Sequence, residues 1–232
     1  MILPTEKLIF IHIPKTGGAS VEDFIIDKLG YERNSLFMTN NLGLLQAHNG
    51  LGLTLFPHMH YPLKDVVKIA NSSKIKVDNS WTIFSIVRNP YYKLISELFF
   101  TDLIPLKYHY HSLPENVKDK FFNECLDEYF SNSNYSISRH SNHSLPQYKF
   151  FEGTDLNYKI FKFEEGLENI MIKLGFEVND DFPHVLNTFE LQQIKKPNYR
   201  DVLTPYLVEV VNEKYAKDFE IFGYEMLSPL DI

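Results

Sequence analysis

The sequence predicts an α/β fold of three layers, α/β/α, around a central, mainly parallel sheet. Three apolar runs suggest its strands: Leu8–Ile13 (LIFIHI), Trp81–Val87 (WTIFSIV) and Tyr158–Phe163 (YKIFKF). Each is rich in the branched and aromatic residues that fill buried strands. Each is followed by a segment with helical spacing, and strands that alternate with helices are the pattern of a parallel sheet. With 232 residues, 44% of them hydrophobic, the chain is long enough to bury such a core as one domain, 1–232.

Pro14 ends the first run, because proline lacks the amide that a central strand needs. Lys15, Thr16, Gly17 and Gly18 then form a turn with little side-chain bulk. Val21, Phe24, Ile25 and Leu29 recur at helical spacing, so a helix starts at Gly18 or Ala19. A strand, a glycine loop and a helix N-terminus together make an anion site, since first-turn amides point outward and the helix dipole favours negative charge there. Lys15 adds a mobile cation, and Thr16 and Ser20 add hydroxyl donors. The arrangement is P-loop-like, but Lys15 precedes both glycines, whereas in G-x-x-x-x-G-K-[ST] the lysine follows them. Taken alone, the loop is also compatible with a tight turn whose glycines serve packing only.

Residues 36–52 read as a polar connection, and Pro62 as the first turn of a short helix carrying Val66, Val67 and Ile69. The second strand ends in Arg88-Asn89-Pro90. A helix over Tyr91–Phe100 follows, with Leu94, Ile95, Leu98 and Phe99 on its apolar face. Parallel strands collect their C-terminal ends at one sheet edge, where ligands bind, so Arg88 is expected beside the Lys15 loop. Further helices are expected over 114–130, over 167–174 with a stop at Gly175, and over 204–217, where Leu207, Val210, Val211 and Tyr215 face inward. Residues 145–151 read as a short helix or extended piece, and 131–144 as an acceptor-side loop or lid. His109, His111, His140 and His143 lack the spacing of a metal site and read as solvated or substrate-lining; no metal is expected. His12, inside the first strand, reads as a core residue.

Composition narrows the function classes. A formal charge of −7 argues against a general nucleic-acid coat. Cys125 is the only cysteine, so neither an internal disulfide nor a cysteine zinc cluster can form, which suits a reducing compartment. The first strand starts at Leu8 without a basic leader and apolar h-region, and no apolar run approaches the roughly 20 residues of a membrane span. A cytoplasmic protein is expected.

PKTGGAS after an apolar strand resembles the 5′-phosphosulfate loop of sulfotransferases that use 3′-phosphoadenosine 5′-phosphosulfate (PAPS). The spacing R-(x)7-S from Arg88 to Ser96 resembles their 3′-phosphate motif, in which arginine offers a planar fork of charge-assisted hydrogen bonds. The resemblance implies a cofactor set of Lys15, Thr16, Gly17, Gly18, Ala19, Ser20, Arg88 and Ser96. Ala19 departs from the usual second hydroxyl residue, which would remove one hydrogen bond. Softer matches lie at His60, at His143-Ser144-Leu145-Pro146-Gln147, at Phe163-Glu164 and at Tyr215–Tyr224 (YAKDFEIFGY). They resemble the carbohydrate-type branch, sometimes termed family 2, which includes many bacterial enzymes.

That branch implies sulfuryl transfer from PAPS to an acceptor hydroxyl, by default on a carbohydrate, with adenosine 3′,5′-bisphosphate as product. Such a transfer needs a base for the acceptor proton and a cation for the leaving oxygen, as phosphoryl transfer does. Lys15 suits the second task. His60 is the expected base by its resemblance to the family's segment between the two motifs, and His58, two residues away, could exchange roles with it. Two other classes remain open on sequence: a P-loop-like nucleotide kinase and a non-catalytic nucleotide-binding protein. The first would need a lysine after the glycines and a carboxylate for magnesium. The second would keep the cradle without the base.

Overall fold

A computed structural model describes residues 1–30, 60–100, 113–131, 142–179, 182–183 and 198–232. The chain forms two compact units, Met1–Val87 with Gln147–Val185, and Arg88–Pro146 with Leu186–Ile232.

The first unit holds the sheet. Strands β1 (Ile2–Leu3), β2 (Leu8–Ile11), β3 (Thr82–Val87) and β4 (Lys159–Lys162) lie in the order β1-β2-β3-β4. The last three are mutually parallel and β1 pairs antiparallel at the edge. Phe10 is in register with Phe84, and their rings stack at 4.9 Å. Leu8, Phe10, Phe84 and Ile86 share a core with Val21, Phe24 and Ile25 of α1 (Gly18–Lys28) and with Ile170 and Met171 of α5 (Leu167–Lys173). Their strand neighbours Ile9, Ile11, Ile83 and Val87 point the other way and are equally buried. Both faces of the central strands are therefore covered, as a three-layer α/β/α fold requires. The unit also contains α2 (Leu63–Ser72), with Pro62 at its N-cap, one position earlier than expected. The expected stop after α5 is present, with Gly175 at φ 90°.

The second unit is helical: α3 (Pro90–Phe100), α4 (Glu115–Ser131), α6 (Pro205–Lys214) and α7 (Ala216–Phe222). Leu94, Ile95, Leu98, Phe122, Leu126, Leu207, Val211 and Phe219 lie in its core. Thr204 caps α6, its hydroxyl oxygen accepting the Leu207 amide at 3.1 Å, and Pro205 follows at the first helical position. The single helix expected over 204–217 is two helices. Tyr215 breaks them at φ −119°, with its ring buried and its hydroxyl donating to the Ser144 carbonyl at 3.1 Å. Residues 145–151 contain a short 3₁₀ turn, Gln147–Phe150. The expectations for 36–52, His58, His109, His111 and His140 lie outside the described residues. Among the described residues no helix is long and apolar enough to cross a membrane.

Candidate active site

The loop between β2 and α1 is built as a cradle. Lys15 lies in the left-handed region at φ 64°, a conformation that costs a non-glycine residue about 1–2 kcal/mol. The Thr16 hydroxyl donates to the Ile13 carbonyl at 2.8 Å and is fully buried, so it braces the turn instead of facing outward. Gly17, at φ 79°, is the N-cap of α1, where no side chain caps the helix and no acidic residue occupies the first turn. The N-cap residue thus offers this end no side-chain cap, and no acidic residue of the first turn offsets the helix dipole there.

Gly18 is required for a different reason. A Cβ placed on it would lie 2.1 Å from Cδ2 and 2.3 Å from Nε2 of His12. The His12 ring cannot move aside easily, because it stacks on Phe10 at 5.7 Å and meets His60 edge-on at 4.7 Å. Gly18→Ala is expected to cost about 1–3 kcal/mol by overpacking. Urea denaturation of this variant, alone and combined with His12→Ala, checks the expectation: the double variant should recover part of the loss.

His12 is a core residue as expected, but it also faces a carboxylate. Its Nδ1 lies 3.3 Å from Glu22 Oε2, one turn into α1. Burial alone would raise the Glu22 carboxyl; the facing His12, with the Met1 amine, outweighs it and holds the group below its usual range.

His60 lies three residues before the start of α2, and its Nδ1 is 2.9 Å from the His12 carbonyl oxygen. A carbonyl only accepts, so Nδ1 carries the hydrogen and Nε2 is the basic nitrogen of the neutral ring. The ring is partly exposed. The first unit therefore brings together Lys15, Thr16, Gly17, Gly18, Ala19, Ser20 and His60, with His12 as the residue that touches both Gly18 and His60.

Arg88 and Ser96 belong to the second unit. Arg88 is the first residue after β3 and is 8% exposed; Ser96, on α3, is 9% exposed. Arg88 lies over the Tyr199 ring, 5.4 Å from guanidinium carbon to ring centroid. Beside them runs a buried charged cluster that the sequence did not announce. Glu97 Oε2 accepts from His143 Nδ1 at 2.8 Å, and Lys93 Nζ donates to the His143 carbonyl at 2.8 Å. Burial pushes the Lys93 ammonium down and Arg88 adds to this, while Glu97 and Asp218 oppose it. Asp218 is fully buried, and burial together with Asp218 and Glu97 pushes the Tyr215 hydroxyl up. The motif-like His143, Tyr215 and Asp218 thus converge on α3. His143 is buried and hydrogen-bonded to Glu97, so of the two expected readings, solvated or substrate-lining, the solvated one does not hold.

A family model described as the sulfotransferase family matches residues 1–225. No curated protein and no solved structure matches the chain.

Proposed function

The chain belongs to the sulfotransferase family, and we propose that it moves a sulfuryl group from PAPS to an acceptor hydroxyl, on a saccharide, with His60 as general base. The observation that carries this reading is the pairing of the Lys15–Gly18 cradle with a histidine whose Nδ1 is held by the His12 carbonyl. The cradle suits an anionic group: its helix end is uncapped, its glycines leave the backbone open to close approach, and its one charged side chain is a lysine. When bound, PAPS supplies the sulfuryl group, with cleavage of the bond from sulfur to the oxygen it shares with the 5′-phosphate.

In this reading Lys15 offsets the charge that develops on that oxygen. The backbone at Thr16 to Ser20 and the Ser20 hydroxyl bind the 5′-end, with Thr16 contributing through its amide because its hydroxyl hydrogen is engaged by Ile13. Ala19 contributes only backbone. Arg88 and Ser96 bind the 3′-phosphate. His60 Nε2 receives the acceptor proton. Residues 1–232 act as one catalytic domain. In this reading the protein works in a reducing compartment, the cytoplasm, which the single cysteine, Cys125, supports because no internal disulfide can form.

A thermal-shift comparison tests the ligand class: adenosine 3′,5′-bisphosphate should stabilise the protein and ATP with magnesium should not, the reverse being the signature of a kinase. Lys15→Ala and Arg88→Ala should each weaken binding of adenosine 3′,5′-bisphosphate by roughly 1.5–3 kcal/mol, the range for a lost charge-assisted hydrogen bond. Calorimetry on the two folded variants checks this, and wild-type affinity in both would remove the basis for a shared site.

A further inference from the structure

The Glu22 carboxylate has no part in the proposed chemistry, yet it is largely buried one turn into α1, with Oε2 3.3 Å from His12 Nδ1. A carboxylate held below its usual range is ionised and only accepts, so Nδ1 of His12 carries a hydrogen in either charge state of the ring. The rest of that ring is fixed as well. It stacks on Phe10 at 5.7 Å, and Phe10 in turn stacks on Phe84 of β3 at 4.9 Å. Its Cδ2–Nε2 edge abuts Gly18, where a Cβ would come within 2.1 Å of Cδ2. Against this immobile ring stands His60, perpendicular to it at 4.7 Å, with its Nδ1 bonded to the His12 carbonyl at 2.9 Å.

We propose that Glu22 and His12 are positioning residues for the base: Glu22 aims the His12 ring, and that ring holds the His60 imidazole in one orientation. The inference rests on the reading of His60 as the general base. A carbonyl alone fixes one nitrogen of an imidazole and leaves the ring able to turn about the line of that hydrogen bond. A second ring packed edge-on against it stops the turn, provided that the second ring is itself held. Phe10, Gly18 and Glu22 hold it. The control matters because a base must meet the acceptor proton within hydrogen-bond reach, and a misplacement of about 1 Å costs on the order of 10²-fold in rate. Glu22 and Gly18 both belong to α1, so the helix that opens the cradle also sets the aim of the base.

The test measures kcat and the Kd of adenosine 3′,5′-bisphosphate side by side, and reads the His60 tautomer in the resting protein by NMR with isotope-labelled histidine. Glu22→Leu should lower kcat by about ten- to a hundredfold and weaken the Nδ1–H signal of His60, with Kd at the wild-type value. Glu22→Gln, whose amide oxygen still accepts from His12 Nδ1, should keep most of both the rate and the signal. If the leucine variant does not fold, His12→Asn, which keeps a donor for Glu22 and removes the ring, is read in the same way. Unchanged kcat, a fall in affinity that matches the fall in kcat, or a fall in kcat without a change in the His60 signal would mean a structural pair only and would overturn the inference. Equal losses in Glu22→Gln and Glu22→Leu would overturn it too, since charge and not aim would then be at work. His60→Ala separates these failures from that of the parent reading. If His60→Ala removes turnover and Glu22→Leu does not, Glu22 and His12 are wrongly assigned; if His60→Ala leaves turnover intact, the base itself is wrong and the inference falls with it.

Discussion

Replacing His60 by alanine is expected to lower turnover by a factor of roughly 10²–10⁴, the range for a lost general base, while nucleotide affinity stays close to wild type. The split follows from where the imidazole acts. A base works on the acceptor hydroxyl in the transition state and contributes little to holding the sulfuryl donor. The hydrogen bond from His60 Nδ1 to the His12 carbonyl makes the substitution series informative. Asparagine can imitate the Nδ1–H donor, so His60→Asn should keep the local fold, but its amide has no nitrogen that takes up a proton near neutral pH. It should rescue almost nothing. In the wild-type protein, protonation removes the accepting lone pair, so turnover at subsaturating acceptor should fall as the pH is lowered. Single-turnover kinetics on the two variants, with affinity measured in parallel, checks the split. Normal turnover in His60→Ala with loss in His58→Ala would transfer the role to His58.

The second large effect is on stability. Glu97→Ala is expected to cost about 3–5 kcal/mol, because it removes the carboxylate that accepts from His143 and the larger of the two that favour the buried Lys93 ammonium, leaving Asp218 alone in that role. At roughly 2–4 °C per kcal/mol for a chain of this size, the melting temperature should drop by about 6–20 °C. Glu97→Gln keeps a hydrogen-bond acceptor for His143 Nδ1 but loses the charge, so its loss should be intermediate. The double variant Glu97→Ala/His143→Ala should cost less than the sum of the two single losses, since the partners form one network. Urea unfolding of the four proteins measures this coupling; additive losses would mean that the two side chains act independently.

The central strands were legible because a strand buried on both faces is apolar at nearly every position: Leu8–Ile11 is apolar throughout, and Ile83, Phe84, Ile86 and Val87 flank a single buried polar residue, Ser85. β1 is two residues long and leaves no such run. The break between α6 and α7 was hidden because Leu207, Val211, Tyr215 and Phe219 continue the helical spacing through it. Only the packing of Tyr215 onto Ser144 reveals the interruption.

At the candidate site, the cradle was legible as a pattern of residue types, while its supports were not. His12 and Glu22 are ten positions apart on different elements, and nothing local couples them. On α3 the expected apolar face is present, but Lys93, Ser96 and Glu97 are buried as well. Their partners, His143, Tyr215 and Asp218, come from distant segments, so a reading of the helix alone placed no demand on that face. Periodicity reports which face is apolar; it does not report that a second face is covered by charged partners.

The most direct test of the central claim is transfer of labelled sulfate from PAPS to a panel of hydroxyl acceptors, saccharides first, with tyrosyl peptides, lipids and small metabolites beside them. The account predicts label on an acceptor hydroxyl and stoichiometric adenosine 3′,5′-bisphosphate in wild type, and both at a rate lower by roughly 10²-fold or more in His60→Ala, with a loss in Lys15→Ala as well, at matched enzyme concentration. Label that stays in PAPS across the whole panel while the nucleotide binds would contradict it and leave a nucleotide-binding protein, as would transfer at the wild-type rate in both variants.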